Sequence, residues 1–103
     1  MILENCEGFE WDEGNSNKNW HLHRVSDGEC EEIFFNLPLI VALDQKHKSA
    51  EQRFFALGRT DSNRQLFIAF TIRKKLVRIV SARDMTKSEE RKYAEKAKRD
   101  SDI

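Results

Sequence analysis

Between Gln52 and Arg83 three apolar runs follow one another with almost nothing between them: 52–58, 65–73 and 76–83. Their lengths and their Phe, Ile and Val content suit strands. The two-residue connection Lys74-Lys75 and the short polar connection Asp61-Ser62-Asn63 leave room only for hairpins, so the three runs predict an antiparallel meander. A two-residue turn at Lys74-Lys75 makes Arg73 face Leu76, Thr71 face Arg78 and Phe70 face Ile79. Because side chains alternate along a strand, Ile68, Phe70, Ile72, Val77 and Ile79 then share one face and form the core. A three-residue loop at 61–63 pairs Thr60 with Arg64 and brings Arg53 opposite Thr71. Arg53, Thr71 and Arg78 thereby line up across three strands on the other face.

The last run, Arg78-Ile79-Val80-Ser81-Ala82-Arg83, carries a guanidinium at each end of a β-branched stretch. Arginine is almost never fully buried without a partner, so such a strand points to an anion held at the sheet. Just beyond it, Thr86-Lys87-Ser88-Glu89 has the spacing of a capping box and predicts a helix from Lys87 to about Arg99. Its thin apolar side, Tyr93, Ala94 and Ala97, should cover one edge of the sheet.

Upstream, Phe9-Glu10-Trp11-Asp12 alternates apolar and acidic residues as a short strand does, with Phe9 and Trp11 facing inward. The stretch 13–19 is rich in Gly, Asn and Ser, so a helix there is intrinsically weak and needs Trp20 and Leu22 to hold it. Ser26 and Glu29 form another capping box, with Val25 placed to staple onto Cys30. Cys30, Ile33, Phe34 and Leu37 then recur as one apolar stripe, Glu29, Glu31 and Glu32 take the wet side, and Pro38 ends the helix. A fourth apolar run, 39–43, completes the strands. The expected architecture is α+β: a single small domain over 1–103, with an antiparallel sheet, N-terminal helices and a C-terminal helix.

At 103 residues the chain suits one core, and no apolar run nears the roughly 20 residues a membrane span needs. Its start lacks the basic and apolar regions of a signal peptide, which with two lone cysteines, Cys6 and Cys30, places it in the cytosol. The formal net charge is zero, but residues 1–52 hold 4 Lys and Arg against 11 Asp and Glu, and residues 53–103 hold 14 against 7. This division favours a polyanion or an acidic protein at the basic half, unless the two halves neutralise each other across the fold.

The chemistry-bearing residues are mainly arginines: Arg53, Arg64, Arg78 and Arg83, with Arg91 on the last helix. Guanidinium forks match phosphate oxygens, and several around one phosphate stabilise a pentacoordinate transition state without a metal, which suits RNA cleavage by the adjacent 2′-hydroxyl. The competing reading pairs these arginines with Glu29 to Glu32, Asp44 or Glu51. His23, between apolar anchors beside a capped helix start, is the candidate for proton transfer, or else a histidine hydrogen-bonded to backbone. Glu10 and Asp12 are candidate bases, though Asp12 also suits a cap and Glu10 an arginine partner. Tyr93 is either a proton donor or a packing residue. His21, His23, Cys6 and Cys30 lack zinc spacing, and there is no glycine-rich phosphate loop and no nucleophile motif, so neither metal nor cofactor is expected.

Taken in order, Phe9-Glu10-Trp11-Asp12, Asn19, His23, Val25-Ser26, Glu51, Arg53, Gly58, Thr60, Arg64, the Arg78 to Arg83 strand, and Glu90-Arg91 with Tyr93 resemble the BrnT family of ribonuclease toxins from type II toxin–antitoxin systems. The resemblance spans about residues 9–93. It implies a RelE-like fold, a metal-independent endoribonuclease that halts growth, and a BrnA-like antitoxin that can join it in a heterotetramer and through which alone it meets operator DNA. On this reading Arg53, Arg78 and Arg83 bind phosphate and the transition state, His23 moves a proton, and Arg64, Arg73, Arg91, Lys74 and Lys75 contact RNA. The chain departs from the family's usual Lys-His-Gly-Val at Leu22-His23-Arg24-Val25, and has Asn15 near a usual lysine. A catalytically impaired interaction or co-repressor module is the alternative these departures suggest.

Overall fold

The computed structural model describes residues 3–45 and 51–101. In chain order the elements are β1 (Gly8–Phe9), α1 (Lys18–His23), α2 (Asp27–Glu32), a single 3-10 turn (Ile33–Phe35), β2 (Ile40–Leu43), β3 (Phe54–Arg59), β4 (Gln65–Arg73), β5 (Leu76–Asp84) and α3 (Lys87–Ser101). The strands form one sheet in the order β1-β5-β4-β3-β2. No helix among the described residues is long and apolar enough to cross a membrane.

The meander has the expected register. Arg73 faces Leu76, Thr71 faces Arg78 and Phe70 faces Ile79, and Thr60 N–H donates to the Arg64 carbonyl at 2.9 Å. Lys74 and Lys75 both take positive φ, 51° and 68°, the left-handed pair that a two-residue hairpin requires. Ladder pairing passes from Phe70–Ile79 to Ala69–Ser81, so Val80 is left without a cross-strand partner as a β-bulge.

The expectation of a purely antiparallel sheet is corrected at one edge, where β1 runs parallel to β5. Glu7 N–H donates to Lys75 O at 2.7 Å and Glu10 N–H to Val77 O at 2.9 Å. Only a parallel approach carries the following residues onward along β5, and they complete its outer edge with side chains. Asn15 Nδ2 donates to the Ile79 carbonyl at 3.1 Å and to the Glu10 carbonyl at 3.0 Å, while its Oδ1 accepts from Asp12 N at 2.8 Å. Asn19 Oδ1 accepts from Ala82 N at 2.9 Å. Two buried asparagines thus close a strand edge that would otherwise offer unpaired backbone to another chain.

This also changes what holds α1. Trp20 and Leu22 are 44% and 64% exposed, and Asn19, at 1%, is the buried residue of the helix. The anchor is therefore a polar one, tied to β5 rather than packed into oil.

One face of the sheet is covered by α2 and the 3-10 turn. Val25, Cys30 and Ile33 pack there on Phe54, Ile68, Phe70 and Ile79, and Phe9, Trp11 and Phe34 seal the margin. The Ser26–Glu29 capping box is complete. The expected stripe fails at its end, where Leu37 is 79% exposed, because the tighter 3-10 turn ends at Phe35 before another helical repeat can bring Leu37 round. On the opposite face α3 packs through Tyr93, with Leu57 and Met85, against one end of the sheet. Thr86 and Glu89 cap it reciprocally, and Ala94 of its expected apolar side is exposed.

Candidate functional site

The face that α3 covers only at one end is laid out in rows by the register. Leu57, Phe67 and Arg83 form the first, and Phe55, Ala69 and Ser81 the second. Phe54 opposite Phe70 places Arg53, one residue earlier, opposite Thr71, itself opposite Arg78. One further step of the same alternation puts Glu51 opposite Arg73, and the two side chains meet in a bidentate pair at 2.7 and 3.0 Å.

Arg78 and Arg73 are both engaged. Arg78 donates to Glu10 at 2.8 Å and to both oxygens of Asp12 at 2.8 and 2.9 Å, leaving its side chain 14% exposed. Arg73 also stands 4.0 Å from Glu10, so Glu51, Arg73, Glu10, Arg78 and Asp12 form one chain of alternating charge. The hydrogen bond from Arg78, then that from Gly14 N–H, holds the Asp12 carboxyl below its ordinary range, and Arg73 does the same for Glu51. Both carboxylates are therefore ionised and acceptor-only near neutral pH.

Arg53 differs from them. It is half-buried, and no carboxylate or other hydrogen-bonding partner meets its guanidinium among the described residues. Beside it, Thr71 is 5% exposed and its Oγ1 has no partner within hydrogen-bond distance, although it lies close enough to Glu51 to help keep that carboxyl ionised. Arg53 is thus the member of the row whose charge no carboxylate among the described residues matches, while the Thr71 hydroxyl beside it is covered.

The remaining expected site residues stand elsewhere. Arg83 shares this face but lies at its α3 end, held by Glu89 at 2.8 and 3.0 Å and stacked over the Phe67 ring at 4.1 Å. Arg64, expected to contact RNA, is engaged within the chain as a clamp. Its Nε and Nη2 grip Asp84 at 2.7 and 3.1 Å, and the rest of the guanidinium reaches the carbonyls of His23 and Arg24 and the Glu29 carboxylate, so all five N–H groups are used. His23 is exposed and helps hold down the Asp84 carboxyl, after the larger effect of Arg64. Asp84 is six residues along β5 from Arg78, about 20 Å at the usual strand rise, so His23 is not brought to the arginine row. Lys74, Lys75 and Arg91 are exposed at the hairpin tip and on α3. Tyr93 is 2% exposed and donates to the Pro38 carbonyl at 2.6 Å, a packing role that withdraws it as a proton donor.

Sequence reasoning missed Glu51 as the partner of Arg73, although extending the Arg53–Thr71 register by two residues gives that pair directly. It also missed the unpartnered Thr71 hydroxyl, for which no sequence signal exists. Among the described residues no three His, Cys, Asp or Glu side chains gather as a metal site.

Residues 11–89 match the family described as ribonuclease toxin, BrnT, of type II toxin-antitoxin system. No curated protein matches the chain.

Proposed function

The chain belongs to the BrnT family of ribonuclease toxins, and on that premise we propose that it is a metal-independent endoribonuclease of RelE-like fold, acting in the cytosol and neutralised by a BrnA-like antitoxin. The observation that carries this reading is Arg53: a guanidinium without a carboxylate partner among the described residues, in register with Thr71 and Arg78 on a sheet face. A scissile phosphate seated there meets Arg53, whose guanidinium no carboxylate among the described residues engages. Arg78, its charge matched by Glu10 and Asp12, keeps two N–H groups that can be directed at the pentacoordinate centre.

The 2′-hydroxyl next to that phosphate attacks phosphorus and gives its proton to a carboxylate, for which Glu10 beside Arg78 is the candidate. The P–O5′ bond breaks, leaving a cyclic 2′,3′-phosphate on one fragment and, after protonation, a 5′-hydroxyl on the other. His23, some 20 Å along the sheet by the same strand rise, contacts the RNA chain at most. Arg73, Arg83, Arg91, Lys74 and Lys75 are its electrostatic approach. The antitoxin covers this face, joins the toxin in a heterotetramer and makes the contacts to operator DNA.

A specific observation favours the second reading, a catalytically impaired co-repressor module: Arg73 and Arg78 are already neutralised by Glu10, Asp12 and Glu51. The purified protein, freed of antitoxin, decides between them on single-stranded or ribosome-associated RNA with EDTA present. Cleavage is expected, and Arg53→Ala should lower it by about 100-fold, the usual loss of a transition-state donor. Background cleavage by the wild type, or an Arg53→Ala variant of normal fold and undiminished rate, overturns the nuclease reading. Growth arrest on expression without antitoxin is expected of the toxin and not of the module.

A further inference from the structure

Between the arginine row and α3 the same sheet face carries two half-buried aromatic rings, Phe67 packed against the Leu57, Met85 and Tyr93 cluster and Phe55 outside both core clusters. Phe55 and Phe67 stack with centroids 5.7 Å apart and planes 18° from parallel, and the Arg83 guanidinium caps Phe67 from the next strand. They border a groove of about 650 Å³ that also meets Ile40, Leu43, Lys92, Asp44 and the Arg83-bound Glu89. In the row of Phe55 the neighbours are small, Ala42, Ala69 and Ser81, so the ring stands above a low floor. Two residues away on the same face of the same strand is Arg53, at about 7 Å by the strand rise. On the far side of the groove Lys92, like Arg53, has no carboxylate partner among the described residues.

We infer that Phe55 and Phe67 form a stacking subsite for an unpaired base of single-stranded RNA whose neighbouring phosphate lies at Arg53. The inference rests on the ribonuclease reading and adds to it the substrate class and a residue that selects it. A flat ring raised over alanine and serine, with an unmatched cation at each end, suits a base and its backbone better than it suits an apolar helix, which would leave Arg53 and Lys92 unpaired. Every base has a π-face, so the step recognises strandedness ahead of sequence: a base held in a duplex cannot reach it.

Binding of an uncleavable 2′-O-methyl single-stranded oligonucleotide to the full chain, free of antitoxin, tests this. Phe55→Leu should weaken binding about tenfold, as loss of one base stack does, while Phe55→Trp retains it and its emission is quenched on binding. The Phe55→Leu effect should vanish against an oligonucleotide with an abasic unit at the stacked position. If Phe55→Leu and Phe55→Trp both bind as the wild type while Arg53→Ala binds weakly, the stacking subsite is wrong and the anion site stands. If all three match the wild type, or no binding occurs, both are wrong. Unchanged oligonucleotide binding with weakened antitoxin capture in Phe55→Leu would give the groove to a protein partner and overturn the inference.

Discussion

Replacing Asn15 by alanine should cost this protein far more than its place in a Gly- and Asn-rich stretch suggests. The side chain is 3% exposed and makes three hydrogen bonds, to the Ile79 and Glu10 carbonyls and from the Asp12 amide. The bond to Ile79 is buried, and orphaning a buried backbone group costs about 1–3 kcal/mol. The two part-buried bonds contribute about 0.5–1.5 kcal/mol each, at the low end where water can replace them. A total near 3 kcal/mol should lower Tm by about 12–24 °C in a domain this size. Thermal melts followed by circular dichroism read this directly. Asn15→Asp is the companion variant: it keeps the acceptor for Asp12 N–H but loses both donated bonds and turns a carboxylate toward two carbonyls, so it should melt no higher than Asn15→Ala. A Tm within about 4 °C of the wild type for either variant, less than about 1 kcal/mol, would refute the reasoning that side-chain bonds close the β5 edge.

Gly58→Ala should destabilise by about 1–3 kcal/mol in urea unfolding, because its Cβ would meet Ile33 Cβ at 3.0 Å and the Ile33 carbonyl at 3.2 Å. Arg64 holds the Asp84 carboxyl below its ordinary 3.8 and Arg83 holds Glu89 below 4.5. A depressed folded-state pKa gives stability that is present above the unfolded value and lost as pH falls through the folded one, so the urea midpoint should be level from neutral pH to about 5 and drop below it. Glu89→Gln should flatten part of that drop. Burial and the nearby acidic side chains push the Cys30 thiol up to about 12, so a thiol reagent should label Cys6 first and reach Cys30 only in denaturant.

What could be read from the sequence was whatever depends on neighbours along the chain. Turn lengths at Lys74-Lys75 and 61–63 fix the meander register, and with it the face shared by Arg53, Thr71 and Arg78; capping boxes fix the starts of α2 and α3. Contacts that arrive from far away were not legible. Register says which way Arg78 points and Glu10 reads as an arginine's partner, but which arginine it meets, with Asp12 beside it, depends on residues more than sixty positions upstream, in and after a two-residue strand too short to show its direction. Apolar periodicity chose Trp20 and Leu22 to anchor α1, because a buried asparagine bonded to a strand edge looks like any loop asparagine. The same periodicity carried Leu37 inward, blind to the 3-10 turn before Pro38.

Val80, unopposed across the hairpin, is the one residue that β5 holds in excess of β4 between Ile79 and Ser81. In an unbroken strand, residues five apart point opposite ways, yet Arg78 and Arg83 emerge together because one surplus residue resets the count between them. The bulge absorbs the surplus, so the faces on both sides of it follow the pairing with β4 and not the count along β5: Val80→Thr leaves them intact. Deleting the residue would bring Ile79 and Ser81 together in a regular ladder, with Arg78 and Arg83 four apart and still on one face, and only the bend and extra twist that the bulge gives β5 would go.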